Sequence, residues 1–323
     1  MLNDLPTYSE LLSRRDAPAG STWGLFDDNP ERGMANLAGP NEVLSAAELV
    51  LRGKTFGLDY ALDAFTPALG PPRTPPTHTI VSKHRDQRDD LLDGFWLQAS
   101  SQIDGLRHRR HAEHGFYNGT SDSAINEGEP ALGVQHWSNH PIVGRGVVID
   151  VARHRIATGQ SIDHKAGEAL TCKLLDEVLA AQEVELARGD IILIHTGWAA
   201  WYLSSTSAER KTVVESGRRT GMAQSQELLA WIFDHRIALA ASDTFAFEAL
   251  PPVPGSPFGS DTDNGMLHQD LIALLGVPLG ELWRLDELAE DCSKDRVYEC
   301  LLIAKPLNLV GGVGSPANAT AIK

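Results

Sequence analysis

From about residue 144 onward, short unbroken apolar runs alternate with stretches whose apolar residues recur every three or four positions. Gly146–Val151, Gly189–His195, Ile237–Ser242 and Glu299–Ala304 are runs of the first kind and predict buried strands. Residues 167–182, with Leu170, Leu174, Leu175, Val178 and Leu179, are of the second kind, as is Gln224–Phe233, and both predict helices. His268–Leu275 predicts a further amphipathic helix. Strands alternating with helices make an α/β protein around a largely buried sheet.

Upstream the pattern is weaker. Residues 1–40 are rich in Pro, Gly, Asp and Asn and predict an irregular N-terminal arm with one short helix at Tyr8–Ser13. Pro40–Gly53 predicts a helix, with Asn41 as its cap and Gly53 as its left-handed stop. Five prolines within 66–79 predict a surface loop, and 112–130 a second, long one. The segment Gly94–Gly105 alternates as a strand does. With no internal repeat and no second linker, the expected organisation is an arm over 1–40 and one α/β domain over 41–323.

Composition narrows the function classes. In 323 residues, a 42% hydrophobic fraction together with 29 glycines is ordinary for a globular chain and argues against long disorder. Lys+Arg 28 against Asp+Glu 43 gives a net charge of −15, which disfavours binding to nucleic acid or to an anionic membrane. No apolar stretch approaches the roughly 18–20 residues of a membrane span. The opening MLNDLPTYSELL lacks a charged segment followed by an apolar one. Cys172, Cys292 and Cys300 are too few and too scattered for a disulfide framework or a zinc knuckle. The expectation is a soluble, cytoplasmic protein acting on a small molecule.

The chemistry concentrates in Gln98-Ala-Ser-Ser-Gln102-Ile-Asp104-Gly-Leu-Arg-His108. On a strand, positions 98, 102 and 104 share one face. Two amides and a carboxylate on one face fit a solvent-facing edge strand, whereas the flanking Phe95, Trp96, Leu97 and Ile103 argue for burial. This run resembles the His-x-Gly-Thr-His-x-Asp-x-x-x-His signature of the cyclase family, which includes bacterial kynurenine formamidases, isatin hydrolase and trans-dienelactone hydrolase. The two leading histidines fall on Gln98 and Gln102, Gly-Thr falls on Ser100-Ser101, and Asp104 and His108 are retained. Gln102-Ile-Asp-Gly and Tyr117-Asn-Gly119 are similar to a longer branch that reads Gln-Trp-Asp-Gly. Downstream, His195-Thr-Gly-Trp198, His268 with Glu281 thirteen residues later, and Gly311-Gly-Val-Gly-Ser-Pro316 resemble further family features in the same order.

The resemblance implies a swivelling β/β/α-type α/β domain, with a mixed sheet or open barrel flanked by helices. It also implies a metal-dependent hydrolase opening a small cyclic amide, a lactone or an aryl formamide, assembled as a homodimer or homotetramer. The divalent metal of such enzymes lowers the pKa of a bound water and polarises a carbonyl, while a histidine moves protons. Carried over residue by residue, the ligands are Gln98, Gln102, Asp104, His268 and Glu281, with His108 and Asp104 as catalytic residues. Glutamine in place of two imidazoles favours Mn²⁺ over Zn²⁺, with zinc still possible. The same substitutions suit a second reading, a non-catalytic or metal-free member that keeps the pocket and binds a small ligand.

Other candidates have ordinary explanations beside the functional one. His111 and His114 follow His108 at intervals of three, a pattern of solvated surfaces as much as of a pocket mouth. Tyr117 can hydrogen-bond a substrate or simply pack. Asp243 and Glu248 follow a predicted strand, where loops often form sites, and are substrate-binding candidates. His195 ends a buried strand and reads as a satisfied core histidine. Asp261–Gly265 lacks the terminal Glu of a calcium loop.

Overall fold

A computed structural model describes residues 5–26, 28–259 and 262–323. Thirteen strands occur among them. They are β1 (Thr55–Gly57), β2 (Thr77–Val81), β3 (Asp89–Asp93), β4 (Gln102–Asp104), β5 (Ile142–Asp150), β6 (Ala169–Leu170) and β7 (Ile191–His195). The rest are β8 (Gly221–Met222), β9 (Leu239–Ser242), β10 (Leu279–Glu281), β11 (Glu299–Ala304), β12 (Gly314–Ser315) and β13 (Thr320–Ile322). Nine of them form one open sheet in the order β1-β13-β11-β5-β7-β9-β10-β4-β12. Its centre, β5-β7-β9-β10, is parallel, and both flanks are antiparallel, so the sheet is mixed as expected.

The parallel centre follows from the sequence. β7 and β9 are apolar up to their last residues, His195 and Ser242, and buried at every position, as strands covered on both faces are. The covering helices include α1 (Tyr8–Leu12), α2 (Pro40–Ala47), α3 (Gln135–Asn139), α4 (Val151–Ala157) and α5 (Cys172–Gln182). After them come α6 (Trp198–Ser204), α7 (Ser207–Ser216), α8 (Gln226–Asp234) and α9 (Asp286–Asp295). Thr171 caps α5 and Ser225 caps α8, each side chain accepting from a backbone N–H of the first turn. The N-terminal segment is irregular but packed: Tyr8, Leu11, Phe26, Met34 and Leu37 belong to the main core.

Three expectations change. The helix from Pro40 stops at Ala47 instead of Gly53, and Leu51 beyond it is exposed, with no core to cover. Its N-terminus is capped by Glu42, whose carboxylate accepts from Gly39 N at 3.0 Å, because Pro40 rather than Asn41 occupies the first turn's opening position. The strand read over Gly94–Gly105 is only β4: Gly94 sits at φ +64°, and a turn closes from Ala99 N to Trp96 O. Part of the proline-rich region leads into an exposed hairpin, β2–β3, which the sequence pattern did not signal.

Candidate metal centre and active site

Register builds the site. In the antiparallel pair β4–β10, Gln102 lies opposite Glu281 and Asp104 opposite Leu279. Alternation therefore sends Gln102, Asp104 and Glu281 to one face of the sheet. His268 enters from the chain just before a single π-helical turn, Asp270–Leu274, an irregularity often found beside functional sites. One ligand atom from each of Asp104, His268 and Glu281 lies within 4.8 Å of the others, and all three residues are buried. The cluster forms part of the wall of a cavity of about 340 Å³, to which Gln102, His108, Arg73, Arg109, Phe245 and Met266 also contribute.

The hydrogen bonds leave a specific vacancy of partners. Gln102 Nε2 donates to Glu281 Oε2 at 2.5 Å, yet Gln102 Oε1 and Asp104 Oδ2 are buried without any partner. His268 Nδ1 bonds Glu248 Oε1, and its Nε2 lies 3.2 Å from Glu281 Oε1 and 3.9 Å from Asp104 Oδ2. Two orphaned acceptors, a carboxylate and an imidazole nitrogen thus converge, which is the donor set of a divalent cation. Buried acceptors are normally paired, so the two orphans are the observation that fits a metal here.

Charge agrees. Burial first, and then the neighbouring charge of Glu281, push the Asp104 carboxyl up to about 7. Burial works against the charged form of His268, but hydrogen bonds to Glu248 and Glu281 outweigh it and hold the ring up at about 10. Burial likewise opposes the Glu281 carboxylate, and the bond from His268 overcomes it and holds its pKa low. The protein alone therefore answers its buried carboxylates with an imidazolium, and ligation requires that proton to leave Nε2.

The structure moves several candidates. Gln98 precedes β4 and is not on the same strand face; its Nε2 donates to Asp104 Oδ1 and contacts His108 Nδ1 at 3.1 Å. It bridges those two side chains and does not line the cavity. The glycine-rich closing turn holds it there, since a Cβ at Gly314 would meet Gln98 Cδ at 2.8 Å. His108 leaves β4 by a turn closed from its own N–H to Gly105 O, and it lines the cavity as expected. Burial, and then Arg109 and His268, push its pKa down to about 3, so the ring is neutral.

Four substrate-binding candidates lie elsewhere. Tyr117 is fully buried, 3.0 Å from Thr22 Oγ1, and packs under the N-terminal segment. His111 stacks on His114 at 4.7 Å, and neither lines the cavity. Asp243 accepts from Thr196 N, Thr196 Oγ1 and Gly197 N, clamping the chain after β7. Glu248 stands behind His268, accepting also from Leu267 N, and fixes the ring, as carboxylates behind metal-ligating histidines do. His195 is a satisfied core histidine, 2.8 Å from Asp150 Oδ1. Of the Asp261–Gly265 run, Asp261 lies outside the described residues, whereas Asp263 pairs with Arg109 at 2.8 Å. Sequence reasoning missed Arg73, Phe245 and Met266. The only signal was that Arg73 sits in the proline-rich loop.

A family model described as "Putative cyclase" matches residues 58–249. The chain belongs to the cyclase family. The match includes Gln98, Gln102, Asp104 and His108, and the cyclase fold brings His268 and Glu281, from beyond it, onto the same centre. A solved structure described as that of a novel cyclase is 33% identical, covers 94% of this chain and 99% of its own, and superposes with a TM-score of 0.81. Isatin hydrolase A from Ralstonia solanacearum is 16% identical over 88% of this chain and 98% of its own, with a TM-score of 0.61. Isatin hydrolase A from Labrenzia aggregata, bound to benzyl benzoate, is 17% identical over 87% and 97%, with a TM-score of 0.56. These last two share the fold with this cyclase-family chain. None of the curated proteins compared matches it. Among the described residues no helix is long and apolar enough to cross a membrane.

Proposed function

We propose that this cyclase-family chain is a metal-dependent hydrolase that opens a small cyclic amide, a lactone or an aryl formamide. The single observation that carries the reading is the pair of buried, partnerless acceptors, Gln102 Oε1 and Asp104 Oδ2, beside His268 and Glu281 on the cavity wall. Gln102, Asp104, Glu281 and His268 Nε2 would hold the ion, and Glu248 keeps the His268 ring turned toward it. When bound, a divalent ion polarises a carbonyl and lowers the pKa of water. Three oxygen donors and one nitrogen make a harder set than zinc enzymes usually offer, which supports manganese.

The chain supplies the remaining chemistry through His108. Gln98 Nε2 donates to His108 Nδ1, so the ring's proton sits on Nε2, in the cavity wall and 3.8 Å from Asp104 Oδ2. A neutral Nε2–H donates to the carbonyl or leaving atom of a substrate, and this bond strengthens as negative charge develops. Phe245, Leu250, Pro252 and Met266 give an apolar wall for the substrate's ring.

Metal analysis of protein purified without chelators or affinity-tag metals, then equilibrated with manganese, tests the reading. One ion per chain is expected. Stoichiometric zinc that dialysis against manganese leaves unchanged would contradict the preference. Absence of any ion would favour a metal-free ligand-binding member, a reading supported by the engagement of Gln98 with Asp104 and His108.

A further inference from the structure

Arg73 stands in the cavity wall on the loop between β1 and β2. Its Nη1 donates to Gln98 O at 2.6 Å, which ties the guanidinium to the segment that carries Gln98. Its Nε and Nη2 have no hydrogen-bond partner among the described residues, and it forms no ion pair with any of them. The other arginine of the wall, Arg109, is neutralised by Asp263 at 2.8 Å. Among the described residues the remaining charged lining groups are Asp104, Glu281 and His268; a divalent ion would balance the two carboxylates and replace the proton on His268. The charge of Glu248 lies behind His268 and off the lining. Among the described residues, Arg73 is therefore the lining cation with no carboxylate in hydrogen-bond contact, its charge acting on Asp104 and Glu281 only across the cavity.

We propose that the substrate is an acid, a small ring compound whose carboxylate is held by the free edge of Arg73 while its ring lies against Phe245 and Met266. A guanidinium edge with two free donors matches a carboxylate in charge and in planar geometry. The cavity, at about 340 Å³, accommodates one or two fused rings with such a substituent. This inference rests on the hydrolase reading of the same cavity, and its test is made by binding so that the two can fail separately.

The probes are 2-aminobenzoate and its uncharged amide, titrated calorimetrically into manganese-loaded protein. Wild type should bind the acid about tenfold or more tightly than the amide. In Arg73→Gln that preference should collapse, and in Arg73→Lys, which keeps the charge but not the fork, part of it should return. Manganese content and circular dichroism of each variant report whether site and fold survive. A preference for the acid that persists in Arg73→Gln would place the carboxylate on the ion and overturn the proposal. Equal binding of acid and amide by wild type, or no binding of either at millimolar concentration, would overturn it too. Hydrolysis of uncharged lactones with neither probe discriminated would leave the hydrolase reading standing and the acid specificity refuted.

Discussion

Asp104→Asn removes one charge from the buried centre while keeping the side chain's shape, and the structure predicts that it stabilises the metal-free protein and abolishes stabilisation by metal. In the metal-free protein the carboxylate is costly, because burial and then Glu281 raise its pKa from 3.8 to about 7. The gap between 3.8 and about 7 corresponds to about 4 kcal/mol. The folded protein holds the proton more tightly than the unfolded chain does. The cost is therefore absent below about pH 4, grows between about pH 4 and 7, and is complete above about pH 7. Metal-free Asp104→Asn should thus be more stable than wild type near pH 8, by up to about 4 kcal/mol, with the difference vanishing toward pH 4. Manganese narrows the gap. At a concentration about 100-fold above its dissociation constant, it stabilises wild type by about 2.7 kcal/mol and leaves the variant almost unmoved. Chemical denaturation of chelator-treated protein across this pH range, with and without manganese, measures both effects. The reasoning is refuted if the metal-free variant is the less stable protein near pH 8, or if manganese stabilises both proteins equally.

His108→Ala should lower turnover by about 10²–10⁴-fold with manganese content unchanged by elemental analysis; loss of the metal as well would make His108 a ligand. Glu248→Gln, which weakens the hold on His268 Nδ1, should reduce manganese affinity by about 10–100-fold with the circular dichroism spectrum retained, and unaltered affinity would contradict its positioning role. Burial works against the charged form of His195, but bonds to Asp150 and Asp286 outweigh it and hold its pKa at about 10 against 6.5. Its stabilisation is complete below that lower value and lost as pH rises toward the upper one, with a slope approaching about 1.4 kcal/mol per pH unit. His195→Gln should flatten this slope in urea titrations, and an unchanged profile would assign the slope to other groups.

The parallel centre of the fold was legible because strands buried on both faces are apolar runs, as β7 and β9 are up to their final His195 and Ser242. The cluster was legible for a different reason: Gln102, Asp104, His268 and Glu281 fall on the positions that the resemblance to the cyclase signature marks as ligands. Gln98 was misplaced because alternation cannot show where a strand begins; Gly94 and the turn at 96–99 decide that, and they shift its amide from ligand to bridge. Asp243 and Glu248 were read as substrate-binding residues after a strand, but position after a strand does not reveal whether a carboxylate faces a cavity or, as these do, clamps a backbone or a neighbouring ring. Arg73 was invisible, since only folding brings a proline-rich loop across the wall beside Gln98.

On the proposed function, the cluster of Gln102, Asp104, His268 and Glu281 holds one divalent ion on which hydrolysis depends. The most direct test is the initial rate of hydrolysis by metal-stripped protein, measured on lactones, cyclic imides and aryl formamides as manganese is added in fractions of an equivalent. The rate should be near zero without metal, rise linearly with added ion and level off at one ion per chain. A rate indifferent to chelation, or one equivalent of bound manganese with no hydrolysis of any of these compounds, would contradict the proposed function.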